Sequence, residues 1–125
     1  MPTYHYVAAS ERFLCEEEPL AEVLRERRDH YREQGKTVDF WLVRQPAFLD
    51  AEPVKTTGAA VPRPAAAVVS TDAKFIDFMK LRLEWVARGQ FEAPTSAIPD
   101  PLASLKVKNE KDSLAAVRLH KPGEG

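Results

Sequence analysis

Cys15, the run Glu16-Glu17-Glu18 and the spaced pair Glu26 and His30 are the residues whose types could do chemistry. A thiol is a nucleophile only as its thiolate. Three adjacent carboxylates raise its pKa, while a helix start lowers it, and the carboxylates should prevail. Cys15 is therefore expected as a buried or half-buried structural cysteine. Glu26 and His30 stand one helical turn apart, which superficially matches a metal pair. A helical di-iron site needs Glu followed three residues later by His, on each of two helices. Here Arg27 stands where that glutamate would be, and no second Glu-x-x-His supplies the other helix. His5 and His120 are scattered, and the 5 glycines are not spaced for a nucleotide phosphate loop. Neither a catalytic set, a metal site nor a bound cofactor is expected from these residues. The glutamate run is explained as helix-start chemistry, with an acidic partner surface as the alternative.

The elements that must position these residues can be read from the spacing of apolar positions. Thr3 to Ser10 is aromatic and β-branched and predicts a strand covered on both faces. Pro19 suits a helix start, Leu20, Val23, Leu24, Arg27 and Tyr31 form one stripe, and Gly35 can close the helix. Val38 to Val43 predicts a second strand. Residues 46 to 64 hold four prolines (Pro46, Pro53, Pro62, Pro64) and read as loop, with one turn at Ala47-Phe48-Leu49 and a short edge strand at Val54-Lys55-Thr56. Ala65 to Ser70 is an uninterrupted apolar run, as in a central strand. Ser70, Thr71 or Asp72 can cap the helix that follows, which is expected to run to Gly89. Phe91 to Pro101 reads as irregular chain. The order implies an α/β fold: a two-layer sandwich of a three- to four-stranded, mostly antiparallel sheet with two main helices. Residues 1–105 form one domain in this reading, and 106–125 a flexible polar tail.

Two positions resist that simple pattern. On the second helix, at ~100° per residue from Phe75, Val86, Met79, Leu83 and Ile76 fall between roughly 20° and 100°. Phe78, Trp85 and Leu81 fall on the other flank, between roughly 300° and 240°. One sheet face cannot cover so wide an arc. Arg82 falls inside it, near roughly 340°, where a guanidinium must snorkel, pair with a carboxylate, or anchor another protein. Asp39 begins a strongly apolar strand, so it should lie near an edge or opposite a cation such as Arg82. Trp41 and Trp85 are expected in the core rather than as ligand platforms.

Composition narrows the classes of function. The 125 residues are 44% hydrophobic and 30% charged, as in a folded domain, and 18 Lys and Arg against 19 Asp and Glu give a net charge of -1. That balance argues against a general nucleic-acid binder. Cys15 is the one cysteine, so no internal disulfide can form. No apolar run reaches the ~18–20 residues of a membrane span, and no basic amphipathic helix marks an interfacial anchor. The start lacks the features of a signal or transit peptide, so cytosol or plastid stroma is the expected compartment.

Several stretches together resemble one family. They are Phe13-Leu14-Cys15-Glu16-Glu17-Glu18-Pro19, Glu26-Arg27-Arg28, Asp39-Phe40-Trp41-Leu42-Val43, Gln45-Pro46-Ala47-Phe48-Leu49, Pro64 to Thr71, and Lys80-Leu81-Arg82-Leu83-Glu84. The family, of cyanobacteria, algae and plant plastids, was first catalogued as a hypothetical chloroplast reading frame. It is known as an accessory factor of the aerobic magnesium-protoporphyrin IX monomethyl ester cyclase. The resemblance covers about residues 3 to 105. It implies a non-catalytic factor that binds the di-iron catalytic subunit and supports protochlorophyllide formation in chlorophyll biosynthesis. It also implies partner-binding roles for Asp39, Phe40 and Arg82, and peripheral membrane association through the partner. Other enzymes of chlorophyll biosynthesis are further candidate partners, and a homodimer is open. The rival readings are a module that binds a porphyrin intermediate and an enzyme with a non-obvious site.

Overall fold

A computed structural model describes residues 1–105, and the tail expected at 106–125 lies outside them. The first strand, β1 (Thr3–Ser10), leads through one π-helical turn (Phe13–Glu17) into α1 (Leu20–Glu33). Gly35, with φ +68°, takes the left-handed conformation just past that helix, which glycine adopts without steric cost. Strand β2 (Phe40–Arg44) follows. Two 3-10 turns (Ala47–Asp50 and Glu52–Val54) and the short α2 (Lys55–Ala59) make up most of the proline-rich connection. Then come β3 (Ala65–Ser70), α3 (Ala73–Leu83) and β4 (Ala87–Glu92).

The four strands form one antiparallel sheet in the order β2-β3-β1-β4. Strands β1 and β2 therefore run parallel with β3 between them, and β3 and β4 flank β1 in the same way. Two such split β-α-β units make a ferredoxin-like arrangement.

Strand alternation sends side chains to two faces, and both are buried. Towards α1 and α3 point Val7, Ala9, Phe40, Leu42 and Val68, packed with Leu24, Tyr31, Ile76 and Met79. Towards the opposite face point Tyr6, Ala8, Trp41, Val43 and Val69, beneath Phe48, Leu49, Val54 and Ile98. Each large apolar side chain so buried contributes about 1.5–3 kcal/mol. The α/β class, the antiparallel sheet and the two main helices match the sequence reading. The second core does not follow from a two-layer sandwich. It exists because the proline-rich connection lays its 3-10 turns over the sheet, pinned at its start by the Pro46–Ser104 bridge.

Two local expectations are corrected. Val54-Lys55-Thr56 is helical rather than an edge strand, because Pro53 sits in the first turn of a 3-10 helix, opened by Glu52, that runs directly into α2. The helix expected to reach Gly89 stops at Leu83. Glu84 turns the chain at φ +57°, and Lys80 Nζ donates to the Glu84 and Val86 carbonyls at 2.8 and 3.0 Å. Gly89 instead lies inside β4, where a Cβ would come within 2.5 Å of the Tyr6 hydroxyl oxygen. It is a close-approach glycine, not a helix stop.

Candidate partner-binding surface

Asp72 caps α3 by accepting a hydrogen bond from the Lys74 amide at 3.0 Å. From that start the helix buries Phe75, Ile76, Met79 and Leu83 against the sheet. The other flank of the over-wide apolar arc faces solvent: Phe78 is 55% exposed and Leu81 78%. Trp85, carried past the helix end by the turn at Glu84, is 83% exposed. Arg82 is also exposed, so its guanidinium lies beside an apolar ridge and not under it. The expectation of a core tryptophan holds for Trp41, 2% exposed, and fails for Trp85 because the helix ends before it.

Trp85 also walls one side of a groove of about 300 Å³, whose other walls include Ser10, Phe13, Glu17, Val61 and Pro62. Trp85 is thus the exposed side chain that borders this groove, and the groove reaches the acidic turn at Glu17. Glu17 there pairs with Arg12 at 3.8 Å, and both side chains are mostly exposed, so the pair adds little to stability. Cys15, on the same turn, is half-buried. Burial pushes its thiol up and the Arg44 guanidinium opposes the rise, with Glu11 and Glu16 adding to it.

Asp39 and Phe40 occupy a different place. Phe40 is fully buried, with its ring 5.2 Å from that of Tyr31, edge-on, and 5.5 Å from that of Phe75. Arg27 lays its guanidinium 3.9 Å from the Phe75 centroid and 5.2 Å from that of Phe40, and donates to the Tyr31 hydroxyl at 3.0 Å. Burial raises the Tyr31 pKa above 10.0, the Asp39 charge adds to the rise, and Arg27 opposes it. Asp39 is half-buried just before β2. Its carbonyl accepts from the Ser70 hydroxyl at 2.7 Å and the Thr71 amide at 3.2 Å, tying it to the entrance of α3. Arg82 lies in the last turn of that helix, about 15 Å further along the axis. The structure therefore does not bring Asp39 and Arg82 together.

Arg27 is the member of this cluster that sequence reasoning missed. Its signal was present: a guanidinium in the apolar stripe of α1, the same anomaly that marked Arg82. Among the described residues, no three His, Cys, Asp or Glu side chains are grouped to hold a metal ion. Nor is any described helix long and apolar enough to cross a membrane.

The family model of the Ycf54 protein matches residues 2–93. The chain belongs to the Ycf54 family. It is 56% identical over 105 residues to a Ycf54-like protein of Synechocystis, covering 84% of this chain and 79% of that one. A chloroplastic YCF54 protein of Arabidopsis thaliana is 39% identical over 125 residues, covering 96% of this chain and 57% of that one. The solved structure of the Synechocystis Ycf54 protein superposes with a TM-score of 0.82 at 55% identity, covering 84% of this chain and 98% of that one. Family membership thus places the chain among proteins of cyanobacteria and chloroplasts.

Proposed function

We propose that this Ycf54-family chain is a non-catalytic accessory factor. It binds the di-iron catalytic subunit of the aerobic magnesium-protoporphyrin IX monomethyl ester cyclase and supports protochlorophyllide formation. The observation that carries the binding role is the exposed ridge of Phe78, Leu81 and Trp85 with Arg82 beside it. Large apolar groups so exposed on a small domain mark an interaction site, and tryptophan and arginine dominate interface hot spots. The choice of partner rests on the family resemblance. In this reading Arg82 touches the partner, while Asp39 and Phe40 act at the other end of α3, Phe40 from within the core. Membrane association then comes from the partner, and other chlorophyll-biosynthesis enzymes can share the surface.

The test is a binding titration with the purified cyclase catalytic subunit, using wild type and Arg82→Ala, Leu81→Ala and Trp85→Ala. Saturable binding that each substitution weakens supports the proposal. Absence of binding by the wild type, or variants that bind as tightly, would overturn it. The rival porphyrin module has one observation in its favour, the groove beside Trp85. Saturable quenching of Trp85 fluorescence by the porphyrin ester, lost in Trp85→Phe, would favour that rival.

A further inference from the structure

Strand β4 is an edge of the sheet, and its register with β1 fixes which of its backbone groups face outwards. The Glu11 amide donates to the Pro64 carbonyl at 2.8 Å, which extends the β1–β3 register in which His5 faces Ser70 and Ala9 faces Ala66. Odd-numbered residues of β1 therefore turn their N–H and C=O groups towards β3, and even-numbered ones towards β4. The Ala93 amide, donating to the Pro2 carbonyl, follows the same rule. Across β4 it is Ala87, Gly89 and Phe91, opposite Ala8, Tyr6 and Tyr4, that bond to β1. The backbone groups of Arg88, Gln90 and Glu92 point outwards, and no described residue bonds to them. Such an edge is a template for another strand.

We propose that β4 pairs with β4 of a second copy of this chain, antiparallel about a two-fold axis at Gln90. A two-fold antiparallel pairing must oppose residues whose numbers have a constant sum, and charge selects among the possible sums. Centring on Arg88 or on Glu92 sets like charges opposite each other. Centring on Gly89 or Phe91 sets a charged residue opposite Gln90. Centring on Gln90 sets Arg88 opposite Glu92 twice and Gln90 opposite itself, with all three outward-bonding residues in hydrogen-bonded pairs. The three side chains lie on the helix face and are exposed, with Arg88 already contacting Asp77 of α3. A guanidinium has donors enough for Asp77 and the second copy's glutamate together. The product is a continuous eight-stranded antiparallel sheet, closed by its own symmetry, in which the β4 edge disappears. A contact of one 6-residue strand is small, so the dimer is weak and concentration-dependent. The inference does not depend on the identity of the cyclase partner.

Two measurements on the full chain test it. Sedimentation from roughly 10 μM to 1 mM, the range in which small interfaces associate, should show a monomer–dimer equilibrium. Arg88→Glu and Glu92→Arg should each weaken it by about tenfold, and the double exchange should restore it, because two cross-strand pairs change sign together. Amide hydrogen exchange gives a readout on the wild type alone. Protection at residues 88, 90 and 92 should grow with concentration, while that at 87, 89 and 91 stays constant. A monomer throughout the range, a dimer indifferent to either charge reversal, or exchange at 88, 90 and 92 unaffected by concentration would each overturn the proposal.

Discussion

Replacing Phe40 with alanine should damage the fold first, and binding only through the fold. The ring is fully buried and meets Tyr31, Phe75 and the Arg27 guanidinium, so its removal strands three neighbours at once. Phe→Ala substitutions at such sites cost about 3–5 kcal/mol. That is a large part of the ~5–15 kcal/mol that holds a domain together. At about 4 °C per kcal/mol for a domain of this size, the melting temperature should fall by about 12–20 °C. Phe40→Leu keeps most of the volume and should cost about 1 kcal/mol. Arg82→Ala, on an exposed turn, should stay within about 0.5 kcal/mol of the wild type.

The assay is a thermal melt followed by circular dichroism, run beside the binding titration at a temperature where every variant is folded. Phe40→Ala should recover much of its binding when cooled well below its own midpoint, and Phe40→Leu should bind nearly as the wild type does. A Phe40→Ala protein that melts within about 3 °C of the wild type yet fails to bind would refute the reasoning. It would mean that the ring meets the partner directly and that the packing around Arg27 contributes little.

The remaining expectations concern the surface, the ionisable core and the new edge. Arg82→Ala should weaken partner binding by about 2 kcal/mol or more, roughly 30-fold, with an unchanged melt; equal affinity would remove Arg82 from the interface. Tyr31 holds its proton more tightly folded than unfolded, so its contribution is fully present below pH 10.0, the ordinary value, and is lost as pH rises through the higher folded value. Tyr4 and Tyr6 shift in the same direction, chiefly through burial. Stability should thus fall above about pH 10, less steeply in Tyr31→Phe. A tyrosinate absorbance titration with every tyrosine ionising at its ordinary value would contradict this. Gly89→Ala should cost about 1–3 kcal/mol by driving a methyl group into the Tyr6 phenol; an unchanged melt would show that Tyr6 can yield.

The parts of the fold legible in the sequence are those where one physical signal acts alone. The run Ala65 to Ser70 has both ends defined and is the strand at that range. The alternation of Phe40 and Leu42 against Trp41 and Val43 assigns their faces as observed. Strand β4 was not legible because two signals misled together. Gly89 looks like a helix stop, and Val86 fits the helical arc of Phe75 to Leu83. What ends the helix is a non-glycine residue at positive φ, Glu84, with its carbonyl held by Lys80, and no local preference announces that. The second core was likewise hidden, because Phe48, Leu49 and Val54 sit among prolines that break every periodic pattern.

Arg82 and Arg27 show where the reading of the candidate site reaches its limit. Each is an arginine in the apolar stripe of a helix, and the sequence treats them alike. Their fates differ because of what lies across from them. Opposite α1 stand Phe40 and Phe75, which bring a ring face to the guanidinium and let it stay under cover. Beside Arg82 stand Phe78, Leu81 and Trp85, whose apolar surface nothing in the chain's described residues covers. An arginine stripe on a helix thus has two solutions, an aromatic seat supplied by the same chain or one supplied by another molecule. Only the sheet order, which sets Phe40 under α1 and leaves the far flank of α3 outward, decides between them. This is why the two substitutions belong in one experiment: Arg27→Ala should lower the melting temperature and spare the affinity of the folded protein, and Arg82→Ala should do the reverse. Identical behaviour of the two would mean that the aromatic seat around Arg27 confers no stability that an exposed position lacks.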